Sequence, residues 1–119
     1  MATNGVMSGD FNDTSDRNLK ENIVNLEGGL SIINQLQPRT FDWKDQSKGD
    51  GHAGFIAQEV EEILPNDVSG TDWYEGLYDT DKPAKAINVT AILAHAVKAI
   101  QEQQTIIDDL KSRLDSAGL

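Results

Sequence analysis

The chain has 119 residues, 38% hydrophobic and 6% aromatic, enough for one domain with a small core. Ten Lys plus Arg against 20 Asp plus Glu give a net charge of −10, which excludes nucleic-acid and anionic-membrane binders, since both need a basic face. Cysteine is absent, which excludes disulfides, thiolate metal sites and cysteine nucleophiles.

No window approaches the ~18 apolar residues of a transmembrane helix. The opening MATNGVMSGD has neither the basic nor the apolar region of a secretory signal. A chain this short buries only about two-thirds of its unfolded surface, so self-association is expected.

Residues 1–14 are rich in Gly, Asn and Asp without a period and read as a loop, or as the end of something larger. After a polar stretch, Leu30, Ile32, Ile33 and Leu36 fall near helical spacing, with Gly28-Gly29 before them and Pro38 as the stop. RTFDWKD alternates, Phe41 and Trp43 on one side and Thr40, Asp42 and Lys44 on the other, which predicts a half-buried strand. QSKGDG is a turn. A strand is predicted around Gly54–Ile56 and a helix around Gln58–Leu64, with Val60, Ile63 and Leu64 as its stripe and Pro65 as its end. Glu59, Glu61 and Glu62 read as its solvated face. Residues 66–85 look loop-like, with Trp73, Tyr74 and Tyr78 as anchors, and residues 86–89 form the last predicted strand.

From Thr90 the chain runs to Leu114 without Gly or Pro. Leu93, Ile100, Ile107 and Leu114 recur every seven residues, and Ala96, Gln103 and Leu110 take the partner positions. That pattern predicts a coiled coil, with Gln103 as a register-setting polar layer. The competing reading is a long amphipathic helix packed on its own domain. The first half is apolar nearly all round, so it is expected to sit in a globular body while the second half protrudes. The heptads do not choose between two strands and three.

The candidate chemistry is a serine and a lysine. Ser15 and Lys20 stand five apart in TSDRNLKENI. A serine hydroxyl needs an adjacent base to act as a nucleophile, and lysine serves only where burial or a neighbouring cation, here Arg17, favours its neutral form. The structural alternative is that Ser15 and Asp16 start a turn or cap a helix while Lys20 is solvated. His52 and His95 stand 43 positions apart, one before a strand and one on the long helix, and both read as structural. No metal or cofactor is expected.

Four blocks in order, SDRNLKENI, LQPRTFDWK, GFIAQEVEEILP and INVTAILAHAVKAIQE, cover roughly residues 15–105. In order and spacing they resemble the C-terminal intramolecular chaperone domain of phage tail spikes and tail fibres, of the endosialidase type. The third block is the most specific and speaks against an unrelated acidic coiled-coil adaptor. The resemblance implies a self-cleaving assembly factor that trimerises, brings upstream fibre chains into register and then cuts itself off. Carried over, Ser15 is the nucleophile, Lys20 its general base and Thr14–Ser15 the scissile bond, with Asp16, Arg17, Leu19, Asn22 and Ile23 shaping the site. The family often has Ser-Asp-x-Arg-Leu-Lys; here Arg17 comes one position early and Asn18 takes its place, while the Ser-to-Lys distance is kept.

The expected fold is α+β: a small mixed body of short strands and helices, with a C-terminal helix of about residues 90–116 in a trimeric coiled coil. Residues 1–14 are then a remnant of the fibre stem and 15–119 the chaperone domain. The trimer seam is Leu93, Ile100, Gln103, Ile107, Leu110 and Leu114. The expected partners are two further copies of the chain and the upstream stem in cis, with no nucleic acid or membrane. Such a protein acts in the host cytoplasm during virion assembly and is released from the mature fibre. A trimerisation module of the same fold that does not cut is the alternative.

Overall fold

The computed structural model describes residues 14–73 and 84–118. The first helix, α1 (Gly29–Gln35), begins after Gly28, whose φ of 71° only glycine adopts without strain. It ends where Leu36 turns extended, two residues ahead of Pro38. Strands β1 (Arg39–Phe41) and β2 (His52–Gly54) form an antiparallel hairpin in which Arg39, Thr40 and Phe41 face Gly54, Ala53 and His52. Helix α2 (Ala57–Glu61) is short, and Pro65 opens a single 3₁₀ turn after it. Strands β3 (Val68–Ser69) and β4 (Ala86–Ile87) pair antiparallel. Helix α3 (Val89–Ser116) closes the chain.

Several elements differ from the sequence expectation in extent. The first strand stops at Phe41, because Asp42 turns away to accept the Gly51 amide at 2.8 Å and Asp45 caps a 3₁₀ turn over Gln46–Lys48. Phe41 and Trp43 still meet, ring edge to ring face, at 5.2 Å. The second strand lies two residues before its predicted place, since register with β1 rather than local hydrophobicity sets it. The loop expected over 66–85 contains β3, too short to show a period. Trp73 is exposed, and Tyr74 and Tyr78 lie outside the described residues. Asn88 is not strand but the cap of α3, its side chain accepting from the Thr90 amide at 3.2 Å.

The core is small. Leu36, Val60, Leu64 and Ile92 bury against one another, with Ile32, Ile33, Phe55, Ile63, Val68 and Ile87 around them. Val60 is 2% exposed and sits at the centre. Burying such a side chain is worth about 1.5–3 kcal/mol, so these few residues carry most of the body.

Helices α1 and α3 cross at close range, and Gly29 is the reason they can. A Cβ there would lie 2.6 Å from the His95 carbonyl oxygen and from Lys98 Cβ, and 2.7 Å from the Ala99 amide nitrogen. Across the same crossing, Glu102 Oε1 accepts from the Leu30 amide at 2.6 Å. That bond satisfies a free N–H in the first turn of α1 with a negative charge, as the helix end favours.

Helix α3 has two apolar faces. Ile92 and Ala99 are buried and His95, Ala96 and Glu102 half-buried, a stripe at helical spacing that meets the body. Apart from Ala96, the heptad stripe is a different face: Leu93 is 63% exposed, Ile100 65% and Ile107 55%. From Gln103 to Gly118 every residue is exposed. At 1.5 Å per residue the helix is about 42 Å long, and roughly its second half stands clear of the body. The first half therefore packs on the body through one side only, not all round.

Candidate functional site

The site is built from residues Thr14 to Leu26, none of which is buried. Asp16 is extended, with φ −63° and ψ 132°, and its side-chain Oδ1 accepts from the Asn18 amide at 2.8 Å. That bond caps a 3₁₀ turn over Arg17–Leu19, closed by the Leu19 amide on the Asp16 carbonyl at 3.0 Å and the Lys20 amide on the Arg17 carbonyl at 3.1 Å. Lys20 returns to extended backbone, and its Nζ donates to Ser15 Oγ at 2.5 Å. So Asp16 does start a turn, as the structural alternative held, and the same turn brings the serine and lysine together.

Asn22 explains itself by its backbone. Its φ is 55°, the left-handed region, where it is the single described residue other than glycine. Asparagine enters that region more readily than other side chains, and here it redirects the chain after Lys20. Arg17 sits within the turn and is exposed. Leu19, Ile23 and Val24 are apolar and exposed beside the dyad.

The remaining sequence-predicted residues lie along α3. Leu93, Ile100, Gln103, Ile107, Leu110 and Leu114 form one exposed face, well separated from the dyad in the chain. Between that face and the dyad segment runs a largely apolar groove of about 550 Å³, whose lining includes Asn25, Leu26, Leu93, Ala94, Val97 and Lys98.

The histidines have structural partners. His52 Nε2 donates to the Lys48 carbonyl at 2.9 Å, and His95 Nδ1 donates to the Ala91 carbonyl at 2.8 Å. Among the described residues no group of three or more His, Asp or Glu is placed to hold a metal ion, and no helix is long and apolar enough to cross a membrane.

Two glutamates expected on a solvated face are paired instead. Glu59 receives two hydrogen bonds from the Arg39 guanidinium, at 2.7 and 3.1 Å, and Arg39 also donates to Gln37. Hydrogen bonding to Arg39, and then its charge, holds the Glu59 carboxyl below the usual carboxylate range. Glu61 pairs with Lys85 at 2.9 Å. These pairs join LQPRTFDWK to GFIAQEVEEILP, and that block to the chain leading into β4. An Arg after Pro38 and a Glu on α2 carry no local sign of each other, so sequence pattern missed the pair. Asp45 is likewise held low, by the Ser47 hydroxyl and then its amide.

A small α+β body thus carries an exposed Ser–Lys pair and a long C-terminal helix whose second half stands clear of it. Residues 15–69 match the Peptidase_S74 family, described as Chaperone of endosialidase. These residues form a domain of that family, which runs from the serine of the pair through the hairpin and α2 to β3.

Curated relatives agree. The chain is 32% identical over 111 residues to the Long tail fiber protein Gp37 of Salmonella phage S16, covering 88% of this chain and 14% of that protein. It is 36% identical over 115 residues to the Long tail fiber protein Gp37 of Enterobacteria phage M1, covering 90% of this chain and 43% of that protein. It is 35% identical over 103 residues to a Probable tail fiber protein of Escherichia phage Phieco32, covering 84% and 13% respectively. The chain thus spans less than half the length of each of these relatives.

Proposed function

We propose that this chain is the self-cleaving intramolecular chaperone of a phage tail fibre: it trimerises, helps the fibre chains assemble, and cuts itself off at Thr14–Ser15. The observation that carries the reading is the 2.5 Å contact between Lys20 Nζ and Ser15 Oγ, inside the residues that match the family. The exposed stripe of α3 supports self-association, since a heptad face that does not meet its own body is available to copies of itself.

The chemistry runs as follows. Lys20, as the free amine, takes the Ser15 hydroxyl proton while Oγ adds to the Thr14 carbonyl carbon. The C–N bond then breaks, and the Lys20 ammonium returns its proton to the Ser15 nitrogen. This N→O shift leaves an ester between Thr14 and Ser15. Water opens the ester, giving a Thr14 carboxylate and a chain that starts at Ser15. A serine attacking from a neighbouring copy is the other geometry. In one chain the pair lies open to water; a neighbouring copy covering it would tie cutting to assembly.

The benefit to the fibre is kinetic. Intertwined trimers have high contact order and assemble slowly, with exposed surface on the way. Joining three chains at one end raises their effective concentration to about the mM range. Cleavage then removes the link, and the fibre persists by its unfolding barrier.

The full exposure of Ser15 and Lys20 favours one other reading, a trimerisation module that no longer cuts. Intact mass after incubation, for wild type, Ser15→Ala and Lys20→Ala, separates the two, with sedimentation to count the copies. The self-cleaving reading expects a product starting at Ser15 from the wild type and none from either variant. A full-length wild-type trimer would leave only the module.

A further inference from the structure

Ser15 and Lys20 cannot meet along an extended backbone, in which five residues span about 17 Å. The chain between them must fold back, and the Arg17–Leu19 turn does this. The turn has little to hold it. It contains no buried residue, and its two closing backbone bonds, at 3.0 and 3.1 Å, are open to water, where each adds little net stability. Besides the Ser15–Lys20 contact itself, the support found among the described residues is the Asp16 side chain, which accepts from the Asn18 amide at 2.8 Å.

We infer that Asp16 is a positioning residue of the dyad: as a hydrogen-bond acceptor it holds the turn that places Lys20 Nζ on Ser15 Oγ, and its negative charge is not what the reaction uses. The inference rests on the self-cleavage reading. Physical chemistry separates acceptor from charge. A neutral acceptor of the same shape keeps the cap without the charge, and asparagine caps as well as aspartate does.

The test compares Asp16→Asn with Asp16→Ala in the full chain, reading cleavage by intact mass across a pH series. Loss of the cap thins the population of the formed turn by about fivefold. Asp16→Ala therefore cleaves about fivefold more slowly than wild type. Asp16→Asn cleaves within about twofold of wild type, or faster. Both variants lose the charge, so rescue by Asp16→Asn alone separates the hydrogen-bond acceptor from the charge and from a mere loss of fold stability. Asp16→Ala cleaving at the wild-type rate would overturn the inference, and so would Asp16→Asn cleaving as slowly as Asp16→Ala.

A second arm does not depend on cutting. In the Ser15→Ala background, hydrogen exchange at the Asn18 amide stays slow with Asp16 or Asp16→Asn and speeds up with Asp16→Ala. Unchanged exchange in Asp16→Ala would show that the side chain does not hold the turn, and overturn the inference while leaving the cleavage reading intact. A wild-type chain that never cuts would remove the cleavage reading and the positioning role together, with the exchange result still reporting on the turn.

Discussion

The dyad segment and the α1–α3 crossing are built on opposite principles. Residues Thr14–Leu26 bury nothing, and neighbours within five positions hold the serine and lysine in place. The crossing depends on residues as far apart as Leu30 and Glu102, and on Gly29 meeting the backbone of α3. A segment of the first kind can be reshaped without unfolding the protein. A crossing of the second kind cannot be altered without cost to the whole body.

The comparison predicts that damage to the crossing is large and global. Gly29→Ala puts a methyl group into the backbone of α3, and overpacking of this kind costs about 1–3 kcal/mol. Thermal unfolding should show a fall of about 4–8 °C per kcal/mol, while the Asn18 amide keeps its protection in the folded protein. Loss of that protection would show that the two regions are coupled. Glu102→Ala removes a charged bond to a helix N-terminus and should cost about 1.5–3 kcal/mol in urea unfolding; an unchanged midpoint would mean the crossing holds by packing alone.

Damage to the dyad segment should be local. Asn22→Val forces a β-branched residue to a φ of 55°, at a cost of about 1–2 kcal/mol, where Asn22→Gly is tolerated. The expected result is slower cleavage in the valine variant, restored in the glycine variant, with both melting as wild type does. A valine variant that melts early would make the segment part of the body.

The smallest effect sharpens the boundary between them. Arg39 holds the Glu59 carboxyl low in the folded chain, so the pair's contribution is present above the ordinary Glu value of about 4.3 and is lost as pH falls through the lower folded value. Acid unfolding curves should therefore lose part of their steepness below about pH 4 in Glu59→Gln. A curve identical to wild type would show that the pair adds nothing to the body's stability.

The Ser15–Lys20 pair was legible in the sequence as a candidate because its geometry is local. Asp16, the turn and Lys20 lie within one short motif, though the five-residue spacing did not by itself tell this contact from a solvated Lys20. Helix α1 and most of α3 were legible for the same reason, through apolar spacing, the stop at Pro38 and the run from Thr90 without Gly or Pro. The β2 register and the β3–β4 pair were not, since two- and three-residue strands are too short to carry a period and take their place from a partner. The partners of Glu59 and Glu61 were hidden likewise.

The sequence by itself determined the acidic single domain, the family blocks, the Ser15–Lys20 spacing and the heptad stripe, all properties of residues near one another in the chain. Only the tertiary structure decided which face of α3 meets the body. Ile92 and Ala99 turn inward because Gly29 lets α1 approach them, and that choice leaves Leu93, Ile100 and Ile107 facing outward. A helix with two apolar faces can bury either one, and the close approach that Gly29 permits selects between them.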